Sequence, residues 1–313
     1  MQVIINSENV MLDNIQVNMS INDVTRQFTV QDISNTQKYF KGDIVEIYDD
    51  KDVLLIKAEI EYIEAIGNDS KSEYVYAGRN NARFIVDSYA DKTIQFAEKQ
   101  KLNSVLSKIA SDFGLKVVGD AQLPINAIKT ILIGEQYGEE FVEIAQSAGQ
   151  LITSDAEGNI LIEFEAKNES KIVLEYGVNI RKRNFIEDTT GLYDKYTVVS
   201  QSNYLINQQQ DTNIQGSYGG GKFTKVIVSE HTLTQNECEK LAEIEYKKDV
   251  RKTFDYSVAV DEQDLKINTK YFVKDLSVGI NEMMNLKAIN IEKSEEVSEM
   301  RAYFEKILWI DLQ

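Results

Sequence analysis

The chain has 313 residues, enough for two or three domains, and 42% of them are hydrophobic, so it can bury sizeable cores. Its formal net charge of -17 argues against general affinity for nucleic acid, because phosphate binding needs basic patches. A single cysteine, Cys238, excludes an intrachain disulfide, and no apolar run approaches the roughly 20 residues of a membrane-spanning helix, so no stable membrane insertion is expected.

The N-terminal stretch Met1–Asp13 has no basic n-region and no long apolar core. No signal peptide is therefore expected, and the chain is expected to be made and kept in the cytoplasm, or built into an assembly from there. Residues 1–66 read as short strands. Val3–Leu12 and Ile15–Ile21 are β-rich and split at Asp13-Asn14, and Phe28, Val30 and Ile33 alternate with polar residues. Ile44–Ile47 predicts a strand, Asp49–Asp52 a turn and Val53–Ile56 the return, with Ile60, Tyr62 and Ile66 carrying one strand more. Residues 67–73 form a polar hairpin loop into the strand-like Tyr74–Tyr76. Gly78-Arg79 reads as a turn-like break, after which Phe84, Ile85 and Val86 run on to Asp87. Short strands at close spacing predict a small antiparallel barrel or sandwich over 1–91.

After Thr93 the period changes. Leu102, Val105, Leu106, Ile109 and Ala110 fall on one helix face, and Phe113-Gly114 ends it with a left-handed cap. Leu115–Val118 predicts a strand, followed by a loop around Pro124. Phe141, Ile144, Ala145 and Ala148 mark a second amphipathic helix, with Gly149 just past its end. Leu151–Asp155 and Asn159–Phe164 predict a hairpin across residues 156–159, where Gly158 suits positive φ. These elements make an α+β module, assigned to 92–188 plus 229–250.

Lys171–Tyr176 and Gly191–Ile206 return to β. Asn207–Gln215 and Gly216–Gly221 read as an exposed, mobile loop, and Phe223–Ser229 as a strand. Thr234 and Glu237 match a capping box, and Cys238, Leu241, Ala242 and Ile244 continue a helix of about four turns. From Thr253 onward the chain is β, through 254–260, 270–280, 286–293 and 303–312. A second β-barrel-like domain is assigned to 189–228 plus 251–313. The fold class expected is α+β, mainly β: two small antiparallel β-barrel-like domains with an α+β module between them.

Chemistry-bearing patterns are sparse. Gly216–Lys222 has phosphate-loop spacing, but Phe223 stands where a Mg²⁺-holding hydroxyl belongs, and a strand rather than a helix follows. His231 is the only histidine, which removes His-based metal clusters and leaves a strand-to-helix linker residue. Carboxylates lie in solvated runs such as Asp49-Asp50, Glu139-Glu140 and Glu295-Glu296. Arg181-Lys182-Arg183, followed by Glu187-Asp188, reads as an interface or a solvated turn. Cys238 has no local cationic cluster to lower its pKa and reads as a buried or half-buried thiol. No catalytic residues, cofactor or metal are expected, and the chain is not read as an enzyme.

Four features, in order, resemble the baseplate hub (tail hub) proteins of Mu-like contractile phages, phage-like bacteriocins and related injection systems. They are Lys41-Gly42-Asp43-Ile44-Val45-Glu46-Ile47-Tyr48 with its acidic turn; Ala77-Gly78-Arg79 with Ile85-Val86-Asp87; Gly134-Glu135 with Phe141–Ala145, then Gly149–Asp155, Gly158 and Asn159; and Asn179-Ile180 through Tyr196–Gln201. The family-motif positions are thus Gly42, Asp43, Gly78, Arg79, Asp87, Gly149, Asp155, Gly158, Asn159, Asn179 and Tyr196. The chain departs from the pattern in its Gly-rich insertion at 216–221 and in having its only tryptophan at Trp309.

The resemblance implies a structural protein of a virion or tailocin baseplate. Three copies form a ring, each giving two similar barrels, so that the homotrimer joins a sixfold tail tube to a threefold spike and leaves a central channel. The implied partners are itself, the tail tube protein, the spike protein and other baseplate proteins, with DNA only as passing cargo. Candidate contact elements are Lys41–Tyr48, Tyr193–Gln201 and Lys306–Leu312. An acidic bore in such a ring repels phosphates and reduces sticking. The alternatives are a tail-associated cell-wall hydrolase and a tail-tip carbohydrate-binding module.

Overall fold

The computed structural model describes residues 1–21, 23–34, 36–68, 71–97, 99–119, 129–147, 150–163, 168–200, 214–229, 233–260, 264–294 and 297–307. The chain divides into two compact units, residues 1–183 with 258–304 and residues 184–257 with 305–313. Strands dominate both.

The first unit opens with four hairpins: β1 (Gln2–Ile5) with β2 (Glu8–Val10), β3 (Asn14–Ser20) with β4 (Gln27–Ser34), β5 (Ile44–Tyr48) with β6 (Leu54–Glu59), and β7 (Tyr62–Asn68) with β8 (Lys71–Arg79). They sort into a sheet of order β2-β1-β5-β6 and a larger one containing β3-β4-β8-β7. Alternation along each strand sends Val3, Ile5, Val45, Ile47 and Ile56 from one sheet, and Ile15, Val17, Phe28, Val30 and Tyr76 from the other, into one shared core. A bridge between Ala58 and Asn80 ties β6 to the end of β8.

The helical module follows: α1 (Arg83–Val86), β9 (Ile94–Phe96), α2 (Leu102–Ala110), β10 (Val117–Val118), β11 (Lys129–Ile131), α3 (Tyr137–Ser147), β12 (Leu151–Ser154) and β13 (Ile160–Glu163). The apolar stripe of α2 is buried at all five expected positions. It packs with Phe141, Ile144 and Ala145 of α3 and with Ile152 and Ile160 of the β12–β13 hairpin in a second core. Gly114 closes the helical stretch at φ 71°, in the left-handed region. Strands β9 and β11, which pair antiparallel, carry no period-2 signal long enough to read in the sequence.

The remaining elements are β14 (Asn168–Glu175), β15 (Ile180–Glu187), β16 (Lys195–Ser200), β17 (Gln215–Gly219), β18 (Thr224–Ser229), α4 (Gln235–Lys252), β19 (Phe254–Val260), β20 (Thr269–Asp275), β21 (Ile280–Ser294) and β22 (Ser298–Lys306). In the first unit, β14 runs parallel to β20 and β20 antiparallel to β21. The far half of the long β21 then pairs with β3, which stitches late sequence onto early sequence. In the second unit, β17-β16-β18 forms a sheet covered by α4 over a small core of Tyr196, Val198, Leu233, Cys238 and Ala242. The capping box of α4 forms: Thr234 N donates to Glu237 Oε2 at 2.8 Å and Glu237 N to Thr234 Oγ1 at 3.3 Å.

Several local expectations change. Gly78 and Arg79 do not turn the chain; they end β8, where a Cβ on Gly78 would sit 2.0 Å from the Glu59 carbonyl oxygen. Arg83–Val86 is a helical turn rather than a continued run. In β4 the buried phase continues at Asp32, held by Lys38, and leaves Ile33 outside. Gln215–Gly219 is strand, not loop, since it pairs antiparallel with β16; within it a Cβ on Gly216 would strike the backbone of Cys238 and Glu239 in α4 at 2.7 and 2.3 Å. Arg181–Arg183 lies in β15, with Lys182 paired to Glu299 and Arg183 to Asp275. Pro124, Ala148, Gly149, residues 207–213, His231, Glu295, Glu296, Trp309 and the expected strand residues 308–312 lie outside the described residues.

Candidate functional site

The motif positions do not line a pocket. Most of them meet at one joint of the first unit, around Glu59-Ile60-Glu61 between β6 and β7. Gly42, at φ 92°, donates its N–H to the Ile60 carbonyl at 3.0 Å, and Ile60 N donates to the Asp43 carbonyl at 2.9 Å. The Asp43 carboxylate closes its own turn by accepting from Phe40 N at 2.7 Å. Gly78 lets β8 pass against Glu59. Arg79 then grips Glu61 through Nε at 3.2 Å and Nη2 at 3.1 Å, and Asp87 through Nη2 at 2.6 Å and Nη1 at 3.0 Å. The hydrogen bonds that Arg79 donates to Asp87 and Glu61 hold its guanidinium well above its ordinary pKa. Burial alone would raise the Glu61 carboxyl, but Arg79 and Arg83 hold it below the usual carboxylate range.

The third motif docks on the same joint from 75 residues away in sequence. Asp155 Oδ1 accepts from the backbone of Glu157, Gly158 and Asn159, each at 2.9 Å, and its Oδ2 from Asn159 Nδ2 at 2.9 Å. Gly158, at φ 96°, lies so close to Asn81 and Ala82 that a Cβ would come within 2.6 Å of both backbone nitrogens. Asn80, next to Arg79, donates to Ser154 Oγ at 2.8 Å and to the Asp155 carbonyl at 2.9 Å. Arg26 completes the seam, giving Nε to the Ser154 carbonyl at 3.1 Å and Nη1 to the Leu55 carbonyl at 2.8 Å. Sequence reasoning missed Arg26, Glu59, Glu61, Asn80 and Arg83. None of them belongs to a recurring strand or helix pattern, so none gives a sequence signal.

Two motif positions lie elsewhere. Asn179 closes the β14–β15 turn, donating Nδ2 to the Val173 carbonyl at 2.8 Å and accepting from Glu175 N at 2.7 Å. Tyr196 belongs to the second unit, where its hydroxyl donates to Asp249 Oδ2 at 3.0 Å beside Lys225 Nζ at 2.7 Å. Burial, reinforced by that carboxylate, pushes the Tyr196 hydroxyl up to about 12. Burial likewise raises the Cys238 thiol.

The large sheet offers a different surface. One face of β3, β4 and β21 is the apolar core; the other carries cross-strand rows of Asn14, Gln31 and Ser294, then Gln16, Thr29 and Glu292, then Asn18, Gln27 and Asn290. Its side chains are amides and hydroxyls, with Glu292 the one charge in these rows. Asn14 Oδ1 and Asn290 Oδ1 are buried there and find no donor among the described residues. An open cleft of about 320 Å³ lies over this face, lined by Asn18, Gln27, Lys287, Asn290 and Tyr303 among others, with Asp23 its only lining carboxylate. Among the described residues no group of three or more His, Cys, Asp or Glu could hold a metal, and no helix is long and apolar enough to cross a membrane.

No protein-family model and no curated protein matches the chain. Solved structures do match, over nearly its whole length. The 43 kDa tail protein of prophage MuSo2 from Shewanella oneidensis superposes with a TM-score of 0.83 at 18% identity, covering 97% of both chains. A tail protein from Neisseria meningitidis MC58 gives 0.80 at 15% identity, covering 97% of this chain and 95% of that one. The fold is that of phage tail proteins. It is shared more distantly with the E. coli c3393 protein, a type VI secretion component described as similar to T4 tail proteins gp27 and gp5, at TM-score 0.57 and 8% identity over 99% of this chain and 78% of that one. That likeness agrees with the family resemblance read from the four motifs.

Two of the strands named as contact elements are interior. β5 is paired by β1 and β6, and β16 by β17 and β18, so neither can extend a sheet by hydrogen bonding to another chain.

Proposed function

We propose that the protein is a structural tail hub: a homotrimeric ring that joins a sixfold tail tube to a threefold spike and leaves a central channel. The observation that carries this is the end-to-end likeness to prophage tail proteins, 97% of both chains at a TM-score of 0.83. The same fold in a type VI secretion component described as similar to T4 tail proteins gp27 and gp5 supports the reading further. The motif residues support a structural role, since they close turns and seal a joint rather than converge on a reacting centre. The division into domains at 1–91, 92–188 with 229–250, and 189–228 with 251–313 stands as part of this proposal. So do assembly in the cytoplasm and incorporation into a virion or tailocin.

The amide-rich face of β3, β4 and β21, with Glu292 the one charge in its rows, is the surface proposed to line the channel, in place of the acidic bore expected from the sequence. Amides and hydroxyls hold water and present no fixed charge to phosphates, so a polymer passes without the strong binding that a basic surface gives. The test is assembly with tail tube protein. The purified chain, mixed with preformed tubes, is expected to cap one end as a threefold density in electron micrographs. Tubes that stay uncapped at saturating chain, or a cap of another symmetry, would overturn the hub reading.

A further inference from the structure

We infer that the cleft over the amide-rich face of the first unit is a binding site for a neutral sugar, a function beyond the hub reading and independent of it. The cleft lies wholly within that unit. It occupies the end of the face nearest the β3–β4 connection, which supplies Asp23 and Thr25. One cross-strand row, Gln27 of β4, Asn18 of β3 and Asn290 of β21, lines it, and so does Tyr303 of β22.

A side-chain amide both donates and accepts, so a row of amides is complementary to groups that also do both, as hydroxyls do. Neighbouring amides could satisfy one another. Here they do not: Asn290 Oδ1 is buried with no donor, and the side chains of Asn18, Asp23 and Gln27 have no hydrogen-bond partner among the described residues. A buried acceptor left without a donor is costly, and a ligand hydroxyl would satisfy it. The charges that line the cleft, Asp23 and Lys287, are one of each sign, so no net charge selects an anion or a cation. An extended peptide binds by adding to a sheet edge, but β3 is flanked by β21 and β4, and β4 in turn by β8, so the cleft offers side chains and no free backbone edge. Its volume of about 320 Å³ stands at the small end of ligand pockets and suits a compact body. Half-buried Tyr303 gives that body an aromatic wall, against which the C–H face of a sugar ring packs. A compact, uncharged molecule with hydroxyls around an apolar ring face is a pyranose.

Saturation-transfer NMR on the full chain, with glucose, galactose, mannose and N-acetylglucosamine as probes, tests the site. At least one of these sugars is expected to bind saturably. Gln27 and Asp23 are exposed, so Gln27→Leu and Asp23→Ala are expected to keep the native circular dichroism spectrum. Each is expected to weaken binding about tenfold, the loss of one hydrogen bond of ordinary strength. No transfer to any of the probes at their solubility limits would overturn the inference. Binding that is unchanged in both folded variants would place the sugar elsewhere and overturn it as well. Tighter binding of glucose 6-phosphate than of glucose would overturn the neutral class of ligand. None of these outcomes bears on the capping of tail tubes, which tests the hub reading separately.

Discussion

The two units solve the same packing problem with different materials. The first buries wide apolar faces: thirteen residues from Val3 to Tyr76 form one core, and α2, α3 and the β12–β13 hairpin form another. Among the described residues the second has a core of five buried residues under α4 and adds a polar knot in which Asp249 takes hydrogen bonds from Tyr196, Lys225 and Lys252. Yet each unit has a glycine inside a strand, Gly78 in β8 and Gly216 in β17, where another backbone comes too near for any side chain. In both units a strand glycine marks an approach distance, not a bend.

The sharpest way to break the comparison is to fill those two gaps. Gly78→Val drives a side chain into the Glu59 carbonyl and Gly216→Val drives one into α4; each is expected to cost about 3 kcal/mol or more. The buried Cys238 thiol reports on the second unit alone. Native-state thiol labelling is therefore expected to quicken in Gly216→Val and to stay slow in Gly78→Val. Equal quickening in both would mean that the units unfold together.

Next in size is Tyr196→Phe, which takes one donor from a buried carboxylate. It is expected to cost about 1–3 kcal/mol in urea denaturation of the second unit. Arg79→Lys replaces a planar fork by a single ammonium, which cannot hold Glu61 and Asp87 together. Asp87 is half exposed, so the expected loss is only about 1 kcal/mol, measured as a shift of the first unit's urea midpoint.

The smallest effect separates the units by pH. Burial would raise the Asp249 carboxyl, but its hydrogen bonds from Lys225, Lys252 and Tyr196 hold it below the usual range. A carboxylate whose folded pKa is depressed stabilises fully above its unfolded pKa of about 4 and stops doing so as pH falls through the folded value. The second unit's urea midpoint is expected to fall on acidification below about pH 4, and Asp249→Asn to flatten that slope. An unchanged slope in Asp249→Asn would assign the acid sensitivity elsewhere.

Much of the candidate joint was legible as residue identities. Gly42, Asp43, Gly78, Arg79, Asp87, Asp155, Gly158 and Asn159 were all marked before their neighbours were known. Their partners were not, because Arg79 finds Glu61 through the β7–β8 register and Asn80 finds Ser154 through the docking of a distant hairpin. No local pattern encodes either meeting. Gly78-Arg79 was read as a turn for the same reason: a glycine needed for close approach looks in sequence like a glycine needed for a bend.

By itself the sequence determined the elements whose signal repeats within a few residues. The stripe of α2, the capping box of α4, the alternation of β20 and the turn glycines Gly114 and Gly158 follow from period and φ preference, which are local properties of the chain; β19, read as alternating, is instead buried at all but one position. Tertiary structure alone decided which strands are interior and which are edges, and that β21 returns to β3. It alone gathered the motif residues around Glu59–Glu61. Those outcomes depend on register between segments far apart in sequence, where the free energy lies in the fit of two surfaces rather than in the pattern of either.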